Sequence, residues 1–416
     1  MSNQSDKSEI TIIGAGAAGL MCAAMIDERF KTVLIEKSSE IGIKLRISGS
    51  GQCNLTHSGD VESFIRSYGD NGRFLKKALY GFSNKNLADY FSERKVPVFE
   101  REDGKMFPES LNSKDVIDAL KNEILRKKHS IKTNLQVNSI TYDNLEKIFK
   151  VKTGNGELIS EIVVISTGGR SYPQTGSTGD GYTFAQSLGH RIIKTTPALV
   201  PFIIQQWPFA QLSGNSFKNA SITLKNGISK ISRNGELLIT HKGISGPLVL
   251  DFSRYPRSED TVIINFFADF NAETAAIEIT ELFSSKPSAK IENTFFKIGI
   301  PQNFSLEIIK LAGIDPSTLC GSVSKKQIRS ISELLCRYQV DIIKDSYDHA
   351  MVTKGGVDLN EVNAATMRSK IIEELYFCGE VLDIDGDTGG YNIQAAFSTA
   401  VSAATDINKI LRSRIN

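Results

Sequence analysis

Apolar segments alternate with glycine-rich turns at both ends of the chain and once between them. The segment ITIIGAGAAGLMCAAMI, residues 10–26, carries no charge and is typical of a buried strand, a glycine turn and a helix. A second strand, KTVLIEK at 31–37, follows, and two more, VVIS at 163–166 and LYFC at 375–378, each precede a glycine-rich loop. Apolar strands alternating with helices predict an α/β fold of the Rossmann type.

The first glycine turn carries a nucleotide-binding fingerprint. Its GxGxxG motif permits a tight turn, close approach of the backbone to a pyrophosphate, and close packing of helix on strand. The free N–H groups at the helix start would face the phosphates. Glu36 ends the second strand at about the ~20-residue spacing of a ribose-binding acid. The dinucleotide-binding residues predicted here are Gly14, Gly16, Ala17, Ala18, Gly19, Glu36 and Lys37.

Two later glycine clusters favour FAD over NAD as the dinucleotide. The loop at 167–180 leads into a helix predicted from about Gly181. The loop at 379–392 leads into a helix predicted to begin near 390–392, whose positive end would face the flavin N1–C2=O edge. The cofactor-binding residues predicted in these loops are Thr167, Gly168, Gly169, Gly379, Glu380, Asp385, Gly390, Tyr391, Asn392 and Ile393.

Composition narrows the class of protein. A chain of 416 residues predicts two or three domains, and a net charge of +2 argues against a broad basic face for nucleic acid. The five cysteines are scattered without a CxxC pair, which favours a reducing cytoplasm over a disulfide framework and predicts no metal site. Residues 10–26 fall short of the ~20 apolar residues of a membrane span, and residues 1–10 lack a signal-peptide core. We therefore expect a cytoplasmic protein with no membrane partner.

The middle of the chain changes character after about residue 192. Short strand-like runs, among them LVPFIIQ, SITLKN, GISKIS, GELLIT and TVIINFF, are followed by helical stripes at 272–283 and 328–338. The sequence therefore predicts a nucleotide-binding domain at 1–191 and 354–416. Its insert at 192–353 would be β-barrel-like over 192–270 and 325–353 and helical over 271–324.

The segment ITHKGISGPLVLDFS, residues 239–253, allows two interpretations. His241 could act as an acid or base near neutral pH, beside a glycine turn that approaches the cofactor. Alternatively, the segment is a strand-to-helix turn, with Ser245 capping a helix and Pro247 in its first turn. Both interpretations stay open at this point.

Nearly the whole chain resembles the bacterial BaiN-like flavoproteins, also called the aminoacetone-oxidase-like family. The matching stretches include IIGAGAAGLMCA, KLRISGSGQCNLT, EDGKMFPES, STGGRSYPQTGSTGDGY, LLITHKGISGPLVLDFSR, VTKGGVDLNEV and GEVLDIDGDTGGYNIQAAFS. The resemblance implies an FAD-binding domain of the glutathione-reductase-like type, interrupted by a barrel-like domain with a small helical subdomain. It also implies a substrate cleft between the domains and places the loop at 44–54 in the flavin site. The cofactor-binding residues implied there are Lys44, Ser48, Gly49, Gly51, Gln52, Cys53 and Asn54.

Several residues depart from the pattern of that family. Ser50 replaces a glycine and Gln52 an arginine in the loop, and His57 stands where asparagine is common. Further along, Ala364 replaces a proline and Arg368 a glutamate. These changes leave cofactor binding intact and predict a shift of charge near the substrate pocket.

The resemblance implies an FAD-dependent oxidoreductase, with three functions open. The first is reduction of an activated C=C bond, in ribosomal RNA to form dihydrouridine or in a small enone, with Cys53 or His241 as proton donor. The second is oxidation of an amine of the aminoacetone type. The third is an RNA-associated or sensor protein whose flavin does not turn over. A single dinucleotide fingerprint implies that NAD(P)H, if it is the electron donor, binds transiently.

The partner follows from the substrate, a small molecule or ribosomal RNA. RNA would need a local basic strip, since the overall charge is near zero. The residues that could form it are Lys44, Arg46, Lys76, Lys77 and Arg170. The sequence predicts no oligomeric state.

Overall fold

The computed structural model describes residues 6–226 and 229–415. The chain divides into two compact units, a first unit made of Met1–Pro197 with Ala350–Asn416, and an insert unit, Ala198–His349. These bounds lie within a few residues of the insert proposed from the sequence at 192–353. Two sequence features fall partly outside the described residues: the polar start (1–5) and the first two residues of the GISKIS run (227–228).

Before the insert, the first unit alternates short strands with helices. Its strands are β1 (Asp6–Ile13), β2 (Thr32–Ile35), β3 (Thr56–His57), β4 (Val98–Glu100), β5 (Lys105–Pro108), β6 (Ser130–Lys132), β7 (Val137–Asp143), β8 (Ile148–Thr153), β9 (Gly156–Ile165) and β10 (Ile192–Ala198). Its α-helices are α1 (Ala17–Met25), α2 (Ile43–Ile47), α3 (Val61–Ser67), α4 (Gly72–Gly81), α5 (Asn84–Ser92), α6 (Ser113–Arg126) and α7 (Asp180–Ser187). The start of α7 confirms the helix predicted from about Gly181.

The insert unit combines one sheet with a group of helices. Its strands are β11 (Phe202–Ile203), β12 (Ser216–Asn226), β13 (Ser229–Thr240), β14 (Gly243–Ser245), β15 (Thr261–Asn265), β16 (Tyr338–Asp341) and β17 (Ile343–Lys344). Its helices are α8 (Pro247–Phe252), α9 (Ala272–Ser285), α10 (Gln302–Leu311) and α11 (Lys325–Cys336). Helix α11 occupies the start of 325–353, which the sequence analysis assigned to the β part, because its apolar stripe has the helical period.

The sheet of the insert unit brings its own edges together. The strand order is β16-β15-β12-β13-β14-β11-β17, so the two outermost strands are consecutive in the chain. Only Ile342 separates β16 from β17; it is fully buried and donates its N–H to the carbonyl of Asp260 at 3.1 Å. An antiparallel sheet whose edge strands meet in this way agrees with the barrel-like insert that was predicted.

After the insert, the chain returns to the first unit through β18 (Val352–Val357), β19 (Leu375–Phe377) and α12 (Tyr391–Ile415). The main sheet runs in the order β6-β2-β1-β9-β8-β7, and β19 also pairs with β9. Strands β6, β2, β1, β9 and β19 are parallel, whereas β8 and β7 form an antiparallel meander on β9. The carboxyl ends of the parallel strands therefore bring the predicted cofactor loops to one edge of the sheet.

Two buried helices hold that edge in place. Helix α1 is apolar on every side, as expected of a helix enclosed by the core, and it packs against α12. Small residues on α12, among them Ala400, Ala403 and Ala404, are buried and permit close contact between the helices. A separate small sheet, β3-β5-β4, lies beyond the loop that follows α2.

Candidate cofactor site

The glycine turn after β1 has two crowded glycines and one open one. A Cβ added at Gly14 would lie 2.7 Å from the carbonyl oxygen of Ser166, and one at Gly19 would lie 1.9 Å from the carbonyl oxygen of Gly14. A Cβ added at Gly16 would meet no atom within 4 Å. Gly16 is the N-cap of α1 and has no side-chain cap, and Ala17 and Ala18 open the helix. The helix start is therefore an open backbone surface suited to a phosphate.

Glu36 is fixed beside this turn by two backbone donors. The N–H of Ala15 donates to its Oε2 at 2.8 Å, and the N–H of Ser38 donates to its Oε1 at 2.9 Å. A carboxylate accepts about four hydrogen bonds, so lone pairs remain for the hydroxyls of a ribose. The position fits the role predicted from the sequence.

A pocket opens between Glu36 and the antiparallel meander. Its lining residues are Ile13, Gly14, Ile35, Glu36, Lys37, Leu135, Gln136, Val137, Thr167, Gly176, Asp180 and Phe184. Across it, Lys37 donates from Nζ to Asp180 Oδ2 at 2.7 Å and to Thr178 Oγ1 at 2.5 Å. Burial raises the pKa of Asp180, but the hydrogen bonds from Lys37 and Thr178 outweigh it and the pKa is lowered. The pocket therefore adjoins both the glycine turn, at Gly14, and Glu36.

Sequence reasoning missed part of this pocket. Leu135, Gln136 and Val137 carry no motif, and they reach the pocket only because β6 pairs with β2 and the chain then turns into β7. The signal that would have found them is topological, since they follow the strand beside the ribose-binding acid. The loop at 167–180 contributes Thr167, whose Oγ1 is buried without a hydrogen-bond partner.

A charged network ties the remaining loops together around Glu380. Lys44 donates from Nζ to Glu380 Oε2 at 2.7 Å and to Ser171 Oγ at 2.5 Å. Glu380 Oε1 accepts from Ser171 Oγ at 2.9 Å and from the backbone N–H of Thr353 at 2.8 Å. A Cβ added at Gly169 would lie 2.7 Å from the same oxygen, which explains the glycine there. Ser171 and Thr353 were missed as site residues, although both lie in stretches that match the family, because neither residue type indicates by itself a contact with Glu380.

The stretch RISGSGQCNLTH begins in α2 and ends in β3, and between them its residues 49–53 form a tight turn with left-handed backbone positions. Ser50 has a φ of 58° and Cys53 a φ of 61°, values that are uncommon for residues with a side chain. Ser50 thus occupies a conformation that favours the glycine usual in the family it resembles. Gln52 accepts a hydrogen bond from Arg101 Nη2 at 2.5 Å, and Asn54 Oδ1 is buried without a partner. Ser48 donates its hydroxyl to the carbonyl of Leu45, and Gly49 and Gly51 supply further left-handed positions.

The C-terminal loop meets the loop at 44–57 and begins α12 at Tyr391, as predicted. A Cβ added at Gly390 would lie 2.5 Å from the carbonyl oxygen of Thr56, and the Tyr391 ring stacks on His57 with centroids 5.2 Å apart. Asn392 holds the turn, since its Oδ1 accepts from the N–H of Gly386 at 2.8 Å. The remaining predicted residues also lie here: Gly379 beside Ala18, Asp385 buried in the loop, and Ile393 packed on the core.

The two proton-donor candidates lie in different surroundings. Cys53 is fully buried, and this burial raises the pKa of its thiol to about 12, although a hydrogen bond with Ser48 opposes the rise. That position favours a packing role over proton donation. His241 lies in the exposed turn between β13 and β14 of the insert unit. Pro247 opens α8 as predicted, but the N-cap is Gly246, so the expected capping by Ser245 is wrong.

The predicted basic strip is largely neutralised by partners within the chain. Lys44 pairs with Glu380, Arg46 with Glu40, and Lys76 with Glu62 at 3.2 Å. The charge at Arg368 is likewise taken up, by Asp406 at 2.7 Å and Glu373 at 3.1 Å, while Tyr376 donates to the same aspartate. The expectation that Arg368 shifts charge towards the substrate pocket is therefore corrected. Its guanidinium instead pairs with Asp406 of α12 and with Glu373, just before β19.

Residues 6–226 and 229–415 contain neither a metal-binding cluster nor a membrane-spanning helix. No three side chains of His, Cys, Asp or Glu are grouped so that they could hold a metal ion. Within the same residues, no helix combines the length and the apolar character needed to cross a membrane.

Comparison with known proteins identifies the family. A family model described as the HI0933-like protein Rossmann domain matches residues 8–406. The chain belongs to this family. It is 31% identical over 411 residues to a ribosomal RNA dihydrouridine synthase of Haemophilus influenzae, covering 97% of this chain and 100% of the relative. It is 28% identical to a 3-dehydro-bile acid delta(4,6)-reductase of Clostridium scindens, covering 95% of this chain and 98% of the relative.

The fold also matches a solved structure. A 3-ketosteroid delta1-dehydrogenase from Sterolibacterium denitrificans superposes with a TM-score of 0.52 at 13% identity, covering 98% of this chain and 100% of that one. At that identity the likeness concerns the fold alone. Membership of the HI0933-like family confirms the flavoprotein family inferred from the sequence, its Rossmann-type fold with an insert, and its class as an FAD-dependent oxidoreductase.

Proposed function

We propose that the protein reduces an activated C=C bond, with uracil in ribosomal RNA as the preferred substrate and a small enone as the second. The observation that carries the proposal is the open cradle at Gly16, beside the fixed carboxylate of Glu36, at the shared edge of the parallel strands. The relatives' names support the choice of reaction, because forming dihydrouridine and acting as a delta(4,6)-reductase both saturate a C=C bond.

The site residues fit FAD in three places. The open backbone at Gly16 would take the pyrophosphate, and Glu36 the ribose of the adenosine, next to Leu135–Val137. Thr167 Oγ1 and Asn54 Oδ1 are buried polar atoms with no hydrogen-bond partner among the residues that the structure describes, which favours a bound polar ligand at both loops. The start of α12 would face the flavin.

When bound, FAD accepts a hydride equivalent from a donor and passes it to the substrate. The chain's own residues bind and orient: Lys44 and Glu380 hold the loops, and the glycine turn excludes side chains from the phosphates. We propose NAD(P)H as a transient donor because a single dinucleotide turn is present among the described residues. His241 is retained as the proton-donor candidate over Cys53, whose thiol is buried.

The test uses the purified protein with its flavin reduced by light in the absence of oxygen. Mixing with ribosomal RNA should return the oxidised flavin spectrum and add two hydrogens to uridine, detected by mass spectrometry of the digested RNA. Reoxidation by an enone, with RNA inert, would move the function to small-molecule reduction. Rapid reoxidation by oxygen, with neither substrate reacting, would contradict the reductase and favour an amine oxidase.

We further propose that the protein works in the cytoplasm. All five cysteines are free and buried, as expected where thiols are kept reduced. Localisation of a fluorescent fusion in cells would test this, and accumulation outside the cytoplasm would contradict it.

A further inference from the structure

One cation at the loop of the proposed flavin site is held rigidly and forms no ion pair within the described residues 6–226 and 229–415. Arg101 follows β4, and its guanidinium stacks over the ring of Phe107 at 3.8 Å. Its Nη2 donates to Gln52 Oε1 at 2.5 Å. Phe107 is buried, and a Cβ added at Gly49 would lie 3.1 Å from its ring. The guanidinium is thus fixed against the loop at 48–54 from two sides.

The neighbouring cations behave differently. Lys44 pairs with Glu380, Arg46 with Glu40, and Lys105, on the same hairpin as Arg101, with Asp103 at 2.7 Å. Arg101 forms no ion pair with any carboxylate of residues 6–226 and 229–415, and its one side-chain hydrogen bond goes to a neutral amide. Within the described residues, the hairpin therefore holds one cation in an ion pair, Lys105, and one outside any ion pair, Arg101.

Hydrogen bonding from Lys105 and, to a lesser extent, the charge of Arg101 lower the pKa of Asp103, so this carboxylate is near Arg101 but is paired with Lys105. A half-buried guanidinium that lacks a hydrogen-bonded counter-charge is costly unless something else compensates it. Of its five N–H donors, the bond to Gln52 uses one, and the planar fork matches the paired oxygens of a carboxylate or phosphate. The stacking on Phe107 and the bond to Gln52 fix the direction of the fork before any ligand arrives, so little side-chain freedom is lost on binding.

We propose that Arg101 anchors a phosphate group of a ligand at this site, either a phosphodiester of an RNA substrate or a phosphate of a nicotinamide dinucleotide donor. The inference rests on the proposed function in one respect, because Gln52 belongs to the loop of the proposed flavin site. Gln52 then acts as a positioning residue that aims the guanidinium, and Arg101 is a binding residue.

The experiment measures binding rather than turnover in the FAD-loaded protein. A fluorescently labelled single-stranded RNA containing uridine is titrated into the oxidised protein and followed by anisotropy. NADPH is titrated into the light-reduced protein, which has no capacity to take a further hydride. Arg101→Gln removes the charge, Arg101→Lys keeps the charge without the fork, and Lys105→Gln is the matched control on the same hairpin. Flavin content and circular dichroism verify that each variant is folded.

Arg101→Gln should raise the Kd for one of the two probes roughly 10- to 100-fold, and Arg101→Lys should raise it less. Lys105→Gln should change it by under about threefold. If RNA is the ligand, the negative slope of the logarithm of the association constant against the logarithm of salt concentration should be shallower by about one in Arg101→Gln than in the wild type. Loss in the RNA titration identifies the phosphodiester, and loss in the NADPH titration identifies the donor.

The inference is overturned if Arg101→Gln binds both probes like the wild type, if Lys105→Gln loses as much, or if the wild type binds neither. Failure of the proposed function is distinguishable from these results. A protein that binds a probe through Arg101 but never reduces RNA or an enone would contradict the reductase and leave the phosphate site standing.

Discussion

Two substitutions in the glycine turn, Gly19→Ala and Gly16→Ala, should separate the effect of packing on stability from the effect of the turn on cofactor binding. Gly19→Ala places a Cβ 1.9 Å from the carbonyl oxygen of Gly14 and 2.7 Å from Ser166 Oγ. The first contact is with backbone, so the turn itself must move, and we expect the free energy of unfolding to fall by about 1–3 kcal/mol or more. Gly16→Ala meets nothing within 4 Å in the protein and has a φ of −80°, which alanine adopts easily. We expect its stability without FAD to stay within about 1 kcal/mol of the wild type.

Gly16→Ala, the milder substitution without FAD, is expected to be the more harmful one for FAD binding. The same Cβ at Gly16 would fill the space proposed for the pyrophosphate, at a cost of about 1–3 kcal/mol, or roughly 5- to 150-fold in Kd. Urea unfolding of the FAD-free protein gives the first quantity, and quenching of FAD fluorescence gives the second. Wild-type FAD affinity in Gly16→Ala would refute the pyrophosphate position. A loss of FAD-free stability equal to that of Gly19→Ala would refute the open cradle.

Three further predictions follow from other contacts. Arg368→Ala should lower the free energy of unfolding in urea by about 1–3 kcal/mol with unchanged flavin content, because Asp406 loses its partly buried partner; loss of flavin instead would place Arg368 in the site. The pKa of Asp180 is lowered, so its ion pair with Lys37 stabilises the fold above about pH 4 and ceases to do so as the pH falls through the pKa of the folded state. The difference in Tm between the wild type and Asp180→Asn should therefore be present at pH 7 and vanish in acid. All five thiols are buried, so a thiol reagent should label the native protein slowly and the unfolded protein fully; rapid labelling of Cys53 would restore it as a proton donor.

The sequence predicted those parts of the site in which one residue type is forced by local geometry. Gly14, Gly19 and Gly169 each stand where a Cβ would collide with a neighbour, and such positions are visible as glycines in a motif. The starts of α7 and α12 were also predictable, since each follows a glycine-rich turn after an apolar strand. The meeting of several loops at one edge of the sheet follows from the parallel pattern itself, because the carboxyl ends of parallel strands lie at the same edge.

The residues that were missed reach the site through topology. Ser171 and Thr353 are far apart in the chain and meet at Glu380 only because the first unit resumes after the insert. Arg101 was missed for the same reason: nothing in its own segment indicates that it bonds to Gln52. Conversely, Arg368 was predicted to lie near the pocket because it differs from the family pattern, whereas its guanidinium forms an ion pair with Asp406.

The network at Glu380 bears on how the cofactor would be held. Its carboxylate accepts from Lys44, Ser171 and the N–H of Thr353, so three other segments of the first unit are joined to the loop of Glu380. A partly buried carboxylate is stable only with such partners, and removing one leaves a charge uncompensated. These contacts tie the loops together at Glu380. Since a site whose loops are tied together loses little conformational entropy on binding, FAD is expected to be retained through purification.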